Sequence, residues 1–284
     1  MTIKELNSEF INNLKLLYET GEATAITNII FEHFLEISKT GIIVNGKSEI
    51  DNEILKLMQN ALAALKKSVP VQYITGKAWF YNLKFAVNEY VLIPRPETEE
   101  LMLEAINFLK INGGKKVLDI GTGSGCIPIS IKKNIPNALV TSIDVSKAAQ
   151  VVAQKNAINN NVEIDFLEMD FLEEKNYPQL FSFDLIISNP PYIPEKEKEI
   201  LHKNVAAYEP HIALFVPNDD HLIFYRKILI FAENHLLANG RILVEVHEDF
   251  ATETAALFLA EKYLVDIKKD MQGKDRILVI YRSR

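Results

Sequence analysis

The sequence is poor in cysteine and in long apolar runs. Cys126 is the single cysteine among 284 residues, so an internal disulfide bond is excluded and a reducing compartment is favoured. The first residues contain no basic stretch followed by an apolar one, and no apolar run approaches membrane-spanning length. We therefore expect a cytoplasmic protein that does not enter a membrane.

The sequence also lacks an excess of basic charge. Lys and Arg number 31 against 38 Asp and Glu, which gives a net charge of −7. A protein that grips a nucleic-acid backbone usually carries the opposite excess, so we expect no direct nucleic-acid substrate. The chain is 48% hydrophobic, which is enough for a large core and for two domains.

The most informative motif that is present is Asn-Pro-Pro-Tyr at residues 189–192, directly after the apolar run 183–188. Two prolines in a row end a strand abruptly, and open α/β sheets bind ligands at the carboxyl ends of their strands. The side-chain oxygen of Asn189 and the backbone carbonyl oxygen of Pro190 then form a pair of acceptors, hereafter the amide clamp. A planar NH2 group has the two donors that fill it.

The amide clamp predicts chemistry on an amide or amino nitrogen. If both N–H groups are held, a strong electrophile in line can react without a side-chain base. Asn189 and Pro190 are therefore the candidate catalytic residues. Together with Pro191 and Tyr192 they form the candidate substrate site, in which Tyr192 covers the substrate plane. The alternative is a strand-ending turn with an incidental asparagine.

A glycine-rich turn upstream provides the candidate cofactor site. The apolar strand 117–120 runs into Gly121-Thr122-Gly123-Ser124-Gly125, and a predicted helix begins at Cys126. Strand, glycine turn and helix are the context of nucleotide-type sites, where the backbone approaches the ligand closely. We interpret Cys126 as a small buried residue that opens the helix rather than as a reactive thiol.

Two acidic positions follow predicted strands further along the chain. Asp144 ends strand 138–143, where an acid typically binds ribose hydroxyls. Its alternative role is a helix N-cap, for which Ser146 competes. Asp170 and Phe171 follow strand 162–167, and they either flank an adenine ring or, in the case of Phe171, pack into the core.

The spacing of the glycines favours S-adenosylmethionine as the cofactor. It is Gly-x-Gly-x-Gly rather than the dinucleotide pattern Gly-x-Gly-x-x-Gly, and no Gly-Lys-Ser/Thr follows. S-adenosylmethionine has no phosphate, but it has an amino-acid end, a ribose and an adenine. Its sulfonium group is the electrophile that the amide clamp requires.

These residues together resemble the release factor glutamine N5-methyltransferases, the family known as PrmC or HemK. The most specific part is Pro-Arg-Pro-Glu-Thr-Glu at 94–99 in the same chain as Asn-Pro-Pro-Tyr. The resemblance covers nearly the whole chain, and its further segments are residues 70–76, 91–93, 208–210 and 269–276.

The resemblance implies an α/β fold, a doubly wound Rossmann-like class I methyltransferase sheet with a small all-helical N-terminal domain. It implies that the glycine turn and Asp144 hold S-adenosylmethionine. It also implies that residues 189–192 hold the glutamine of the Gly-Gly-Gln motif in peptide chain release factors, which the helical domain helps to dock. We place this domain at 1–68, a hairpin and linker at 69–96 and the methyltransferase domain at 97–284. We expect a monomer without a metal ion.

Two positions have open interpretations. Arg95 lies between two prolines and either binds the substrate backbone or anchors the junction through an ion pair. After strand 242–246, the family usually reads Glu-Ile-Gly-x-x-Gln from its glutamate onward, whereas residues 245–250 read Glu-Val-His-Glu-Asp-Phe. We interpret His247 as a surface turn residue.

Two other functions share these features. An adenine amino-methyltransferase acting on nucleic acid would use the same amide clamp, because an exocyclic NH2 group has the same two donors. A non-catalytic adaptor would keep the fold and bind a release factor, and the altered turn at 247–250 favours it slightly.

Periodicity predicts the main elements. Apolar residues recur at helical spacing at 6, 10, 14 and 17, and again at 26, 30, 34 and 37. A third helix is predicted over 50–65 with a capping start at Ser48 and Asp51. We further predict a hairpin over 79–87, a helix over 219–237 that ends near Asn239-Gly240, and an antiparallel pair formed by 263–267 and 277–281.

Overall fold

The computed structural model describes residues 1–282, and the chain forms two compact units. The first unit contains residues 1–77 and 202–208, and the second contains residues 78–201 and those from 209 onward. The helices in chain order are α1 (Ile3–Leu14), α2 (Thr20–Leu35), α3 (Lys39–Val44), α4 (Asn52–Leu65), α5 (Val71–Thr75), α6 (Pro96–Asn112), α7 (Cys126–Asn134), α8 (Lys147–Asn159), α9 (Lys203–Ala206), α10 (Ile223–His235) and α11 (Ala251–Ala260).

Within residues 1–282 the strands lie in three sheets, of which the largest has seven strands. In chain order they are β1 (Lys77–Phe80), β2 (Leu83–Ala86), β3 (Lys116–Ile120), β4 (Leu139–Asp144), β5 (Asp165–Glu168), β6 (Phe183–Ser188), β7 (Ile193–Pro194), β8 (Phe215–Val216), β9 (Leu236–Glu245), β10 (Tyr263–Lys269) and β11 (Asp275–Arg282). β1 and β2 form the predicted hairpin, and its turn residues Tyr81 and Asn82 both have positive φ angles, as a tight hairpin turn requires.

The first unit is helical, as the apolar spacing predicts. Leu6, Phe10 and Leu14 of α1 are completely buried, and the rings of Phe10 and Phe31 pack edge to face at 5.7 Å. Leu17 was expected to continue the stripe, but α1 ends at Leu14 and Leu17 is exposed. The start of α4 also differs from the prediction, because the side chain of Asp51 alone caps the helix.

The seven-stranded sheet confirms the expected doubly wound α/β architecture. Its order is β10-β11-β9-β6-β3-β4-β5, and β9, β6, β3, β4 and β5 are parallel. Adjacent residues of β3 face different cores, because Leu118 packs in the cluster that contains Phe231 whereas Val117 packs in the cluster that contains Leu101. Helices therefore cover both faces of the sheet.

The antiparallel pair predicted at the end of the sheet is present. β10 pairs with β11 from Tyr263 opposite Arg282 onward, and β11 pairs in turn with β9. α10 differs from the prediction, since it ends at His235 and the next residue already belongs to β9. Gly240 lies within this strand, where an added Cβ would come within 3.0 Å of the carbonyl oxygen of Asp184 on β6. Two nearer atoms, Cδ1 of Leu236 at 2.7 Å and the carbonyl oxygen of Leu237 at 2.9 Å, belong to its own segment. Gly240 thus permits a tight local backbone as well as the approach of β6, and it does not end a helix.

Candidate functional site

The candidate site is a cleft at the carboxyl ends of β3, β4 and β6. The chain passes from β3 to β4 on one side and returns to β6 on the other, so the loops after these strands diverge at this point. The free space of the cleft measures about 960 Å³, including its open mouth. Predicted site residues on its wall are Gly121, Gly123, Asp144, Asp170, Phe171, Asn189, Pro190 and Pro191.

The glycines of the turn after β3 have two different tasks. All three have positive φ angles, but a Cβ on Gly123 would meet no atom within 4 Å, and one on Gly121 would meet only the backbone oxygen of Asn189 at 3.9 Å. A Cβ on Gly125 would instead lie 2.9 Å from Ile129 and 3.2 Å from Ala153. The first two glycines therefore leave space in the cleft, whereas Gly125 allows α7 to pack against α8.

Three of the predicted cofactor residues do not line the cleft. Thr122 is buried. Its hydroxyl contacts the hydroxyl of Ser142 and the carbonyl oxygen of Ile143. Ser124 is also buried, and Gly125 packs between helices. Any contact between these residues and a ligand stays a prediction.

Asp144 is on the cleft wall at the end of β4. Its two carboxylate oxygens accept hydrogen bonds from the backbone N–H groups of Gly123 and Ser146, both at 2.8 Å. Burial raises the pKa of Asp144, and these two N–H groups oppose the rise. The N-cap of α8 is the side chain of Ser146. The alternative role of Asp144 as this N-cap is therefore filled by Ser146.

Phe171 packs into the core, which is one of the two roles that the sequence left open, and its place beside an adenine ring stays a prediction. Its ring lies 5.2 Å from that of Tyr177 and 5.5 Å from that of Phe231, within the core. It also contributes to the cleft wall, beside Asp170. The side chain of Asp170 accepts a hydrogen bond from the backbone N–H of Leu172 at 2.9 Å, which fixes this corner of the cleft.

Asp119 is a buried acid directly before the glycine turn, and sequence reasoning gave it no role. Its Oδ2 accepts a hydrogen bond from the hydroxyl of Ser142 at 2.6 Å. Its Oδ1 has no hydrogen-bond partner among residues 1–282. Burial raises the pKa of Asp119 to about 7, so this carboxyl group titrates near neutral pH.

Asn189 of the amide clamp is also part of a chain of side-chain hydrogen bonds that leads from the cleft wall to α6 and β9. Nδ2 of Asn189 lies 3.1 Å from the hydroxyl of Thr98 on α6, and this hydroxyl lies 2.7 Å from Oε2 of Glu245 on β9. Oε1 of the same carboxylate accepts a hydrogen bond from Tyr192 at 3.0 Å. These four side chains, hereafter the Thr98–Glu245 network, come from segments that are distant in the sequence. Thr98 and Glu245 lie in two segments compared with the family pattern, 94–99 and 245–250, but the sequence analysis assigned neither residue a role in the site.

Tyr192 is half-buried, and its hydroxyl is held by this network. Burial and the nearby carboxylate of Glu245 raise its pKa well above the usual value, so its hydroxyl keeps its proton. Tyr192 is not among the residues that line the cleft, and its predicted place over the substrate plane stays a prediction. The hydroxyl of Tyr225 donates to the backbone oxygen of Glu245 at 2.9 Å and so fixes the end of β9.

Arg95 forms the ion pair that was one of its two predicted roles. Its guanidinium lies 2.5 Å from the carboxylate of Glu209, which also accepts the backbone N–H of Ile93 at 3.1 Å. The side chain of Glu209 is 1% exposed whereas that of Arg95 is 31% exposed. The side chain of Arg95 is therefore partly exposed, and its contact with the substrate stays a prediction.

His247 lies in a turn, as expected, but it is half-buried rather than at the surface and serves as a helix cap. Its side chain is only 17% exposed and lies 3.4 Å from Glu197. Its ring nitrogen accepts the backbone N–H of Asp249 and so caps the short helix Glu248–Phe250. The departure from the family pattern at 247–250 thus produces an ordered turn.

Cys126 opens α7, as predicted, but it is half-buried rather than fully buried. Burial raises the pKa of its thiol to about 12, so the reactive thiolate is scarce at neutral pH. Residues 1–282 contain no cluster of His, Cys, Asp and Glu suited to holding a metal ion. Within the same residues, no helix combines the length and the apolar character needed to cross a bilayer.

Comparison with known proteins gives matches over both units. The family described as "Methyltransferase small domain" matches residues 98–212, and the family described as "PrmC N-terminal domain" matches residues 8–76. The fold resembles that of a ribosomal protein L11 methylase from Lactobacillus delbrueckii subsp. bulgaricus, with a TM-score of 0.50 and 19% identity over 70% of this chain and 84% of that one. The large unit thus has the class I methyltransferase fold.

Two curated relatives match along almost their whole length. A release factor glutamine methyltransferase of Flavobacterium psychrophilum is 43% identical over 286 residues, which cover 99% of each chain. Another, of Bacteroides thetaiotaomicron, is 35% identical over 271 residues, which cover 95% of this chain and 96% of the relative.

Proposed function

The chain belongs to the release factor glutamine methyltransferases, and from this membership we propose its reaction. A methyl group passes from S-adenosylmethionine to the side-chain amide nitrogen, N5, of the glutamine in the Gly-Gly-Gln motif of peptide chain release factors. One observation supports this most strongly: Asn189 and Pro190 line the same cleft as Gly121 and Gly123. The candidate groups for holding the amide and those for holding the cofactor therefore line one cleft.

The residues of the cleft fit S-adenosylmethionine. Gly121 and Gly123 leave open space where other residues would carry a side chain, so a ligand can approach the backbone. Each oxygen of Asp144 accepts only one backbone hydrogen bond and retains lone pairs for ribose hydroxyls. Met169 and Phe171 supply an apolar wall suited to adenine. When bound, the cofactor supplies an electrophilic methyl group.

The residues of the amide clamp hold the nitrogen that receives this group. The side-chain oxygen of Asn189 and the carbonyl oxygen of Pro190 accept the two N–H groups of the glutamine amide. Holding both donors orients the nitrogen and favours an electron-rich form of it. The N–C bond would form as the methyl–sulfur bond breaks, and the methylated amide would lose one N–H proton to water. No side-chain base is needed for this, so we assign His247 no part in the reaction.

We further propose that the helical unit helps to dock the release factor and that the protein acts as a monomer in the cytoplasm. The match of residues 8–76 to the PrmC N-terminal domain supports the first part. The acidic net charge of −7 supports a protein substrate rather than a phosphate backbone.

A direct assay tests the reaction. The protein is incubated with labelled S-adenosylmethionine and a purified release factor, with duplex DNA in a parallel sample. We expect label in the release factor and none when its Gly-Gly-Gln glutamine is replaced by alanine. Label in DNA would favour the adenine amino-methyltransferase. Release-factor binding without cofactor binding or transfer would favour the adaptor.

A further inference from the structure

We infer that Thr98 and Glu245 are positioning residues that fix which end of the Asn189 amide faces the substrate, and so make the site selective for an amide over a carboxylate. The inference rests on the proposed function, because it concerns the amide clamp of that reaction. It follows from the order of hydrogen-bond donors and acceptors in the Thr98–Glu245 network.

The network has a fixed direction that starts at Glu245. Its carboxylate has no hydrogen to donate, so each of its oxygens accepts. Oε1 accepts the hydroxyl of Tyr192 at 3.0 Å and Oε2 accepts that of Thr98 at 2.7 Å. Burial raises the pKa of Glu245, but both hydroxyl groups and the guanidinium of Arg276 oppose the rise and favour the ionised form.

The single hydrogen of the Thr98 hydroxyl is therefore committed to Glu245. Towards Asn189, at 3.1 Å, the Thr98 oxygen then has only lone pairs to offer. It must face the NH2 end of the Asn189 amide, because an oxygen there would oppose another oxygen. The side-chain oxygen of Asn189 is consequently turned away from Thr98, which leaves it to act as an acceptor in the cleft that Asn189 lines.

This orientation decides what the site accepts. With the oxygen of Asn189 beside the carbonyl oxygen of Pro190, the amide clamp presents two acceptors and suits an NH2 group. A substrate carboxylate would place its own oxygens against these two, without a hydrogen between them. Sites built for hydrogen bonding reject a mismatched analogue by factors of roughly 10⁴. A reversed Asn189 amide would present a donor and weaken this rejection.

The burial of the network keeps its direction stable. Thr98 is 2% exposed and Glu245 is also 2% exposed, so water does not compete for their hydrogen bonds. Thr98 stands in the first turn of α6, and Glu245 is the last residue of β9. Both residues therefore belong to regular secondary structure, which holds side chains more rigidly than a loop does.

The test uses Thr98→Val, which removes the hydroxyl at nearly equal volume, with Thr98→Ser as the matched control that keeps it. Glu245→Gln is the second variant, because an amide in place of the carboxylate removes the fixed direction. We expect Thr98→Val and Glu245→Gln to lower kcat at least about tenfold, while S-adenosylmethionine affinity stays within about twofold of the wild type. Thr98→Ser should retain most of the activity.

Selectivity separates this role from a structural one. The competitor is a release factor whose Gly-Gly-Gln glutamine is replaced by glutamate, measured as an inhibitor of methylation. The measured quantity is the affinity for the glutamate form divided by the affinity for the glutamine form. This ratio should be low in the wild type and in Thr98→Ser. It should be at least about tenfold higher in Thr98→Val and in Glu245→Gln. Unchanged selectivity in variants that remain folded would overturn the inference.

A measurement on the free protein keeps the inference separate from the proposed function. In ¹⁵N spectra, the side-chain NH2 group of Asn189 is assigned by its loss in Asn189→Ala. One of its protons should exchange slowly in the wild type and in Thr98→Ser, and rapidly in Thr98→Val. Equal exchange in all three would overturn the inference even if the enzyme methylates release factors. Absence of methylation, with slow exchange retained, would reject the function alone.

Discussion

Asp119 should make the folded protein less stable as the pH rises towards neutrality. Its side chain is fully buried, and burial raises its pKa from 3.8 to about 7. Between these values the folded protein keeps a proton that the unfolded chain has released, so each increase in pH favours the unfolded chain. At about 1.4 kcal/mol per pH unit, the loss totals about 4 kcal/mol, of which about 3 kcal/mol occurs between pH 5 and pH 8.

Asp119→Asn is the matched variant for this prediction. The asparagine oxygen can still accept the hydroxyl of Ser142, but the side chain no longer titrates. Urea unfolding of both proteins without cofactor, from pH 5 to pH 8, gives the free energy of unfolding of the variant minus that of the wild type. We expect this difference to rise by about 3 kcal/mol and then level off above about pH 7. A difference that is constant across this range would refute the reasoning.

Three further predictions concern packing, buried polar groups and the thiol. Gly125→Ala should destabilise the protein by about 2 kcal/mol or more in urea unfolding, since the added Cβ would contact α8 and the φ angle is +80°; an unchanged midpoint would contradict it. Asn156→Ala removes three buried or half-buried hydrogen bonds and should cost about 2–4 kcal/mol, whereas Asn160→Ala, at a half-buried position whose hydrogen bond to Lys84 is exposed, should cost only about 1 kcal/mol. Cys126, with a pKa of about 12, should react with a thiol reagent much more slowly at pH 8 than free cysteine does; comparable rates would refute the raised pKa.

The local parts of the fold and the site were predictable from the sequence. Strand, glycine turn and helix at β3 and α7 follow from a short apolar run, positive-φ glycines and an apolar helix. The end of β6 follows from Pro190 and Pro191, which cannot donate to a sheet. The pair β10 and β11 follows from two apolar runs separated by a polar turn. In each case, neighbours in the sequence determine the structure.

The remaining parts depend on contacts between distant residues. Thr98 and Glu245 are separated by 147 positions, and nothing near either residue shows that they meet beside Asn189. Gly240 was predicted near a helix end because Asn-Gly is typical of such ends, and its pairing segment beside Asp184 on β6 is not visible in local spacing. His247 was expected at the surface because its contact with Glu197 is likewise not visible in local spacing.

The central claim is that the amide clamp holds the glutamine that receives the methyl group. The most direct test compares wild type and Asn189→Ala in methyl transfer to a purified release factor, with peptide mass mapping of the product and a separate measurement of S-adenosylmethionine binding. We expect one methyl group on the Gly-Gly-Gln glutamine with the wild type, and a large loss of turnover with nearly unchanged cofactor binding in the variant. Wild-type turnover in Asn189→Ala, or a methyl group on any other residue, would contradict the account.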